Sequence, residues 1–95
     1  MECKSVYFSR HAIERMFQRS ITPDDVLKII TDGEVIYEYT DDKPFPSLLI
    51  LGEVNAKHIH IVAAKDETTA TCHVVTVYEP DPDIWSDDYR TRRKI

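Results

Sequence analysis

The sequence predicts an α+β domain in which two N-terminal helices pack on a four-stranded antiparallel β-meander. Apolar residues recur at helical spacing within residues 9–30 and then alternate along residues 34–40. Short polar or proline-containing connections separate the later segments, and short connections join antiparallel neighbours. A chain of 95 residues is long enough for one domain with a modest core. We therefore expect a single domain over residues 1–95.

Capping signals set the limits of both predicted helices. Ser9 is a suitable N-cap for the first helix, which should end near Arg19. Thr22 precedes Pro23, and a cap followed by proline is typical of a second helix start. Gly33 follows the end of that helix. The side of the first helix that is expected to be buried consists of Ala12, Ile13, Met16 and Phe17.

Four strands are predicted after the helices. They span residues 34–40, 47–53, 57–65 and 71–78. Residues 4–8 are expected to be a short extended lead-in, and Trp85 is expected to anchor a basic C-terminal tail, residues 86–95, by packing. Alternation places His58 and His60 on one face of the third strand, but it leaves open which face the helices cover.

The composition excludes several classes of protein. Hydrophobic residues make up 42% and charged residues 31%, which is typical of a soluble globular chain. No apolar run approaches a membrane span, and the N-terminus lacks the core of a signal peptide. Cys3 and Cys72 show no pairing pattern, with Cys72 expected to be a small buried side chain. We therefore expect a cytoplasmic protein with no membrane partner.

Charge is distributed unevenly along the chain. The net charge of −5 argues against non-specific nucleic-acid binding. The six arginines, however, lie near the two ends: Arg10, Arg15, Arg19, Arg90, Arg92 and Arg93. If the ends meet in the fold, they form a local cationic site on an acidic body, which would favour a specific anion.

Two groups of polar residues could form such a site. His11, Arg15 and Arg19 are four residues apart, so they lie within an arc of about 80° beside the packing side of the first helix. Arginine, with its planar fork, suits phosphate better than lysine does. The second group consists of polar side chains in otherwise hydrophobic strands: His60, Thr76 and Tyr78.

This mixture of residues favours RNA cleavage without a metal ion or cofactor. Histidine titrates near neutral pH and can act as base or acid, while arginine stabilises the developing negative charge. Tyrosine can bond to phosphate or stack on a base. We expect catalysis by four residues: His11, Arg15, His60 and Tyr78. The two histidines would share the base and acid roles. We expect substrate binding by three: Arg19, Thr76 and Arg90.

Other interpretations remain open. His58 and His60 could bind zinc together with Cys72 or His73, but no CxxC or HExxH spacing supports this. His60 and Tyr78 could simply be packed residues. The domain could also be a non-catalytic module that meets a basic partner through the acidic surface of residues 24–89, or a small-molecule phosphate site.

An ordered set of motifs resembles a known bacterial family. The motifs are Phe8-Ser9-x-His11-Ala12-x-x-Arg15-Met16-x-x-Arg19-x-Ile21-Thr22, then Val26, Gly33, Ser47, His60-Ile61-Val62 and Thr76-Val77-Tyr78-Glu79-Pro80. Residues from Phe8 to about Trp85 are similar to the family called domain of unknown function 4258. The resemblance implies a relation to RelE-like toxins, which are small α+β ribonucleases with RelE-like or barnase-like architecture. It also implies RNA as substrate and a cognate antitoxin, of the zinc-finger type, as partner. The chain is acidic where such toxins are usually basic.

Overall fold

A computed structural model describes residues 1–94. The elements, in chain order, are β1 (Ser5–Phe8), α1 (Arg10–Arg19), α2 (Pro23–Asp32), β2 (Glu34–Tyr39), β3 (Ser47–Val54), β4 (Lys57–Asp66) and β5 (Thr71–Tyr78). The predicted α+β class is confirmed. None of the helices in this part of the chain is both long and apolar enough to cross a membrane.

The predicted four-stranded antiparallel meander is wrong. Residues 1–94 form a five-stranded mixed sheet in the order β1-β5-β4-β3-β2. The lead-in is itself a strand, β1, which pairs parallel to β5 with Ser5 opposite Thr71. Four residues carry too little pattern to indicate a strand, and β1 gains its hydrogen-bond partners only from the distant end of the chain. The other three strand pairs are antiparallel, as expected.

Both helix starts are confirmed. The Ser9 hydroxyl accepts a hydrogen bond from the backbone N–H of Ala12. Thr22 and Asp25 form a reciprocal capping box, with Pro23 at the first helical position. These side chains satisfy backbone donors that have no partner inside the helix, so local sequence alone sets where α1 and α2 begin.

The two helices cover one face of the sheet, called here the helix face. α1 packs on β5, and α2 packs mainly on β3. Side chains from both layers form the core: Ala12, Met16, Ile21, Val26, Ile29, Ile30, Ile50, Ile59, Ile61, Ala63, Val74 and Val77.

Part of the predicted buried side of α1 is exposed. Ala12 and Met16 are buried, but Ile13 is 54% exposed and Phe17 is 88% exposed. Successive helical residues are about 100° apart, so Ile13 and Phe17 lie well round the helix from the two residues that touch the sheet. The predicted buried side was therefore too wide, because α1 rests on the sheet along a narrow line.

The C-terminal residues lie on the opposite face of the sheet, called here the tail face. Ile59 and Ile61 belong to the helix-covered core, so His60 between them points to the tail face. The indole of Trp85 meets the His60 ring edge-on, at 4.5 Å between ring centroids, and only 6% of Trp85 is exposed. Trp85 therefore anchors the tail, as expected. Residues 87–91 form turns and bends, Arg92 forms an isolated antiparallel β-bridge with Trp85, and residue 95 of the predicted tail lies outside the described residues.

The expectation of unpaired cysteines is also wrong. Cys3 and Cys72 form a disulfide between residues 69 positions apart, with their Cα atoms 5.7 Å from each other. The parallel pairing of β1 with β5 brings Val6 opposite Cys72. Cys3, three residues before Val6, is thereby brought close to Cys72. Cys72 is fully buried, as expected. The pairing went unpredicted because the strand that creates it went unpredicted.

Candidate functional site

The predicted site residues are divided between the two faces of the sheet. His11, Arg15 and Arg19 are exposed on α1, which packs on the helix face. The remaining four belong to the tail face or to the segment that lies on it: His60, Thr76, Tyr78 and Arg90. The sheet separates the two groups. We expected the first helix to contact the polar residues of the last strands, but it does not. The two arginine-rich ends of the chain also lie apart, on opposite faces of the sheet.

His60 and Tyr78 form a hydrogen-bonded pair across β4 and β5. The two residues are opposite each other in the strand register. His60 is fully buried, its Nε2 lies 2.7 Å from the Tyr89 carbonyl oxygen, and its Nδ1 lies 3.2 Å from the Tyr78 hydroxyl. A carbonyl oxygen can only accept, so Nε2–H donates to it. Nδ1 of the neutral ring is then the acceptor, and the Tyr78 O–H donates to it.

Burial sets the protonation of this pair. Desolvation lowers the pKa of His60 from its ordinary value of 6.5, because the charged ring would lose its hydration. Desolvation also raises the pKa of Tyr78 above 10.0, with the nearby Tyr39 adding to the shift. At neutral pH the pair is therefore an uncharged imidazole that accepts a hydrogen bond from an uncharged phenol.

Arg90 is committed to an ion pair. Its Nε and Nη2 each donate to a carboxylate oxygen of Glu34, both at 2.8 Å, and Nη1 donates to the Asp88 carbonyl oxygen. The Arg90 guanidinium is the main cause of the lowered pKa of Glu34. This forked arrangement fastens the tail to the start of β2. Arg90 is thus a structural contact in this conformation, although it lines the cavity described next.

A cavity of about 540 Å³ opens on the tail face. Its walls come from β2 and the tail: Tyr37, Tyr39, Trp85, Arg90, Thr91 and Arg92. The Tyr37 and Tyr39 rings are 5.0 Å apart between centroids, and Tyr37 is 59% exposed. The guanidinium carbon of Arg92 stands 5.4 Å from the centre of the Trp85 ring, within the range of a cation–π contact. Within residues 1–94, no carboxylate oxygen lies within 4 Å of the Arg92 guanidinium.

Of these cavity residues, only Arg90 was predicted from the sequence as a site residue. The alternation of Tyr37 and Tyr39 on one side of the first predicted strand was visible, and Arg92 was one of the terminal arginines. What was missing was the position of the tail, which crosses the sheet to reach β2. That path depends on the packing of Trp85 against His60 and cannot be read from local spacing.

A second group of aromatic rings lies near β1 on the tail face. The His73 ring stacks between two others, with centroids 5.9 Å from Tyr7 and 5.8 Å from Phe45. Tyr7 is 61% exposed. Beside this stack is a smaller hollow of about 290 Å³, whose wall includes Lys43. The tail face therefore carries exposed aromatic surface towards both of its edges.

The zinc interpretation does not fit the bonding of His60. Both of its ring nitrogens are engaged, one by Tyr89 and the other by Tyr78, so no lone pair is free for a metal. His58 stacks on the Tyr89 ring at 3.9 Å between centroids. Within residues 1–94, no group of three or more metal-ligating side chains is assembled.

The fold and the cavity define a small α+β domain that keeps its core under two helices and presents tyrosines and an arginine on the opposite sheet face. The family whose sequence profile matches residues 8–79 is the Domain of unknown function (DUF4258). The match spans more than half of the chain, so the chain belongs to this family and the resemblance seen in its motifs is confirmed. Comparison with curated proteins and with solved structures gave no match.

Proposed function

We propose that the chain binds single-stranded RNA on the tail face and cleaves it there without a metal ion. The observation that carries the proposal is the position of Arg92. This cation, with no carboxylate partner among residues 1–94, stands in a cavity walled by Tyr37, Tyr39 and Trp85. Arginine beside aromatic rings suits a nucleotide, whose phosphate takes the cation and whose base stacks on a ring.

The binding step uses groups that are already placed. A base would stack on the exposed Tyr37, and the adjacent phosphate would accept hydrogen bonds from Arg92. Stacking on an aromatic side chain contributes about 1–3 kcal/mol per base. One arginine supplies a local charge rather than a basic surface, which is compatible with the overall charge of −5.

The cleavage step would use Tyr78 backed by His60. The Tyr78 oxygen accepts the proton of a ribose 2′-hydroxyl while its own proton passes to Nδ1 of His60, 3.2 Å away. The 2′-oxygen forms a bond to phosphorus, the bond from phosphorus to the 5′-oxygen breaks, and that oxygen takes a proton from water. The hydroxide left behind then takes the extra proton from the pair of His60 and Tyr78, which returns to its starting state. The products are a 2′,3′-cyclic phosphate and a 5′-hydroxyl. The lowered pKa keeps Nδ1 of His60 unprotonated at neutral pH, which is the state that this step requires, while burial works against the imidazolium that the step forms.

The test is to titrate a fluorescent single-stranded RNA with wild type, Arg92→Ala and Arg19→Ala, over a range of salt concentrations. Arg19 is the matched control, since it is an exposed arginine on the helix side. We expect Arg92→Ala to weaken binding and to reduce the salt slope by about 0.7, the loss of one phosphate contact. Arg19→Ala should bind like wild type. Equal binding by both variants would exclude the tail face as the site.

Cleavage is tested separately with the same RNA. Tyr78→Phe should bind RNA like wild type yet leave it intact, and a substrate with 2′-deoxyribose at the cleaved position should resist the wild type. Cleavage by Tyr78→Phe at the wild-type rate would remove Tyr78 from the mechanism.

We also propose that the chain is related to the RelE-like toxins. This relation is supported by the family's motifs and by the packing of two helices on a sheet. The proposed partner is a cognate antitoxin, for which a zinc-finger protein is one candidate. Expression of the chain without this antitoxin should arrest growth. RNA cleavage in a cell would take place in the cytoplasm, where thiols are kept reduced. Cys3 and Cys72 would then be thiols in the cell and a disulfide after exposure to air.

One observation favours a second candidate, a non-catalytic binding module of the same fold. His60 is fully buried with both nitrogens bonded, which is also what a purely structural histidine requires. The cleavage assay separates the two functions, because a module of this kind leaves RNA intact at every protein concentration.

A further inference from the structure

A stack of three aromatic rings on the tail face forms no part of the candidate site described above. Tyr7 lies opposite His73 in the pairing of β1 with β5, and the His73 ring stacks with both Tyr7 and Phe45. Tyr7 is 61% exposed, so one ring of the stack stands largely in water. Exposed rings on a sheet are a surface on which the bases of single-stranded RNA stack. We call these three residues the β1 stack.

The strand register connects the β1 stack to the cavity. Tyr39, in the cavity wall, lies opposite Ser47. Ser47 lies opposite Ala64, which in turn lies opposite His73, and Tyr7 completes this row across the sheet. Neighbouring strands are about 4.8 Å apart, so the backbone positions of Tyr39 and His73 are about 14 Å apart. The cavity and the β1 stack therefore stand towards the two ends of one row on the same face.

Small residues occupy the middle of this row. Ser47 and Ala64 form part of the wall of the hollow of about 290 Å³, so space is left above the sheet beside the β1 stack. The same wall contains Asp42 and Lys43, whose opposite charges offset each other. The hollow therefore suits the uncharged flat face of a base, whereas the cation that suits a phosphate is Arg92 in the cavity.

We propose that the β1 stack is a second base-binding subsite for the RNA strand that occupies the cavity. This inference rests on the proposed function and deepens it, because it assigns the substrate as an oligonucleotide that spans both places. A stacked strand advances about 3.4 Å per nucleotide, so a gap of about 14 Å corresponds to at most about four nucleotides. Every base has an aromatic face, so the subsite should add affinity without adding sequence preference.

The experiment compares the binding of a dinucleotide with that of an RNA of about ten nucleotides, which is longer than the gap. Both carry 2′-O-methyl riboses, so that no 2′-hydroxyl is available for cleavage. The dinucleotide is too short to reach from the cavity to the β1 stack. The proteins are wild type, Arg92→Ala, Tyr7→Leu, Tyr7→Phe and Phe17→Leu, each titrated over a range of salt concentrations. Phe17 is the matched control, since it is an exposed ring on α1, across the sheet from the tail face.

Tyr7→Leu should weaken binding of the longer RNA about fivefold or more, which corresponds to the loss of one stacked base. Its salt slope should equal that of wild type, because no phosphate contact is removed. Its binding of the dinucleotide should not change. Tyr7→Phe keeps the ring and should bind both RNAs like wild type, and so should Phe17→Leu.

Three outcomes would overturn the proposal: Tyr7→Leu binds the longer RNA as tightly as wild type, it weakens both RNAs equally, or Tyr7→Phe weakens binding as much as Tyr7→Leu does. In each case the proposed function stands as long as Arg92→Ala still reduces the salt slope. A wild type that binds neither RNA, or an Arg92→Ala variant with unchanged binding, would contradict the proposed function itself, and the second subsite would fall with it.

Phe45→Leu provides a second test that leaves β1 untouched. Phe45 lies in the connection between β2 and β3, and its ring stacks with that of His73. This variant should also weaken binding of the longer RNA and leave that of the dinucleotide unchanged. Urea unfolding of each variant shows whether it is folded. If Tyr7→Leu is unfolded, Phe45→Leu decides, and wild-type binding of the longer RNA by Phe45→Leu then overturns the proposal.

Discussion

The two faces of the sheet are built on different principles. The helix face is apolar throughout, with Ile59, Ile61, Val74 and Val77 packed under α1 and α2. The tail face has a fully buried histidine, bonded at both nitrogens and covered by Trp85. One face is closed by hydrophobic packing under the helices. On the other, a segment without regular structure adds directed contacts to buried apolar side chains such as Leu49 and Leu51.

The helix face therefore supplies most of the stability of the domain, whereas the candidate site lies on the tail face. Burial of apolar area is non-directional and gives the domain its core. Hydrogen bonds and ring contacts on the tail face are directional, and they leave a cavity with Tyr37, Tyr39 and Arg92 in its wall. The helix face should therefore respond strongly to changes in side-chain volume. The tail face should respond to the loss of single polar atoms and to pH.

The largest expected effect is at the seam where β1 joins β5. Reduction of the Cys3–Cys72 disulfide opens a loop of 69 residues, which on the chain-entropy model costs about 4 kcal/mol of stability. Urea unfolding with and without reductant measures this difference. Cys3→Ser is the control, since it should unfold at the same urea concentration with or without reductant. Equal midpoints for oxidised and reduced wild type would show that β1 is held by its strand pairing alone.

The next effect contrasts neighbouring residues of β4 on opposite faces. Ile61→Ala opens a cavity in the helix-covered core and should lower the free energy of unfolding by about 3 kcal/mol. Val62→Ala, on the tail face and only partly buried, should lower it by much less. Chemical denaturation of the two variants gives the comparison. If both lose the same amount, the faces are equally packed and the distinction fails.

A smaller effect is expected from one oxygen atom on the tail face. Tyr78→Phe removes the hydroxyl that donates to Nδ1 of His60 and leaves a buried acceptor unpaired. The expected loss is about 1–2 kcal/mol in the free energy of unfolding. Tyr37→Phe is the matched control, since its hydroxyl belongs to a side chain that is 59% exposed, and it should be neutral. An unchanged midpoint for Tyr78→Phe would show that this hydrogen bond contributes nothing to the stability of the fold.

The smallest effect is a dependence of stability on pH. Burial lowers the pKa of His60 in the folded chain below its ordinary 6.5, so the unfolded chain binds a proton more readily. The stability that neutral His60 gives is complete above pH 6.5 and is lost as the pH falls through the folded pKa. Denaturation midpoints between pH 7.5 and about 5 measure this slope. His60→Gln should reduce the slope, and the same slope in that variant would assign it to other groups.

Features fixed within a few residues were predicted well. Ser9 and Thr22 start their helices because capping needs only the next three residues. The later strands follow from alternation, and the grouping of His60 with Tyr78 agrees with their pairing. The roles assigned to them in RNA cleavage stay predictions.

Features that join distant residues were not predicted. β1 and the cysteine pair both depend on contact with β5, near the other end of the chain. The exposure of Phe17 depends on how α1 is rotated on the sheet. Periodicity shows which residues share a side of a helix, but how much of that side is covered depends on the layer beneath it.

The sequence by itself determined the α+β class, the helix starts and the run of antiparallel strands, because caps, turns and alternation act over a few neighbouring residues. Only the tertiary structure decided which polar residues share a site. His11, Arg15 and Arg19 went to one side of the sheet, while His60 and Tyr78 went to the other. Side chains on opposite faces of a sheet cannot contact each other through the backbone layer. The face on which each residue lies follows from long-range packing, which local spacing does not encode.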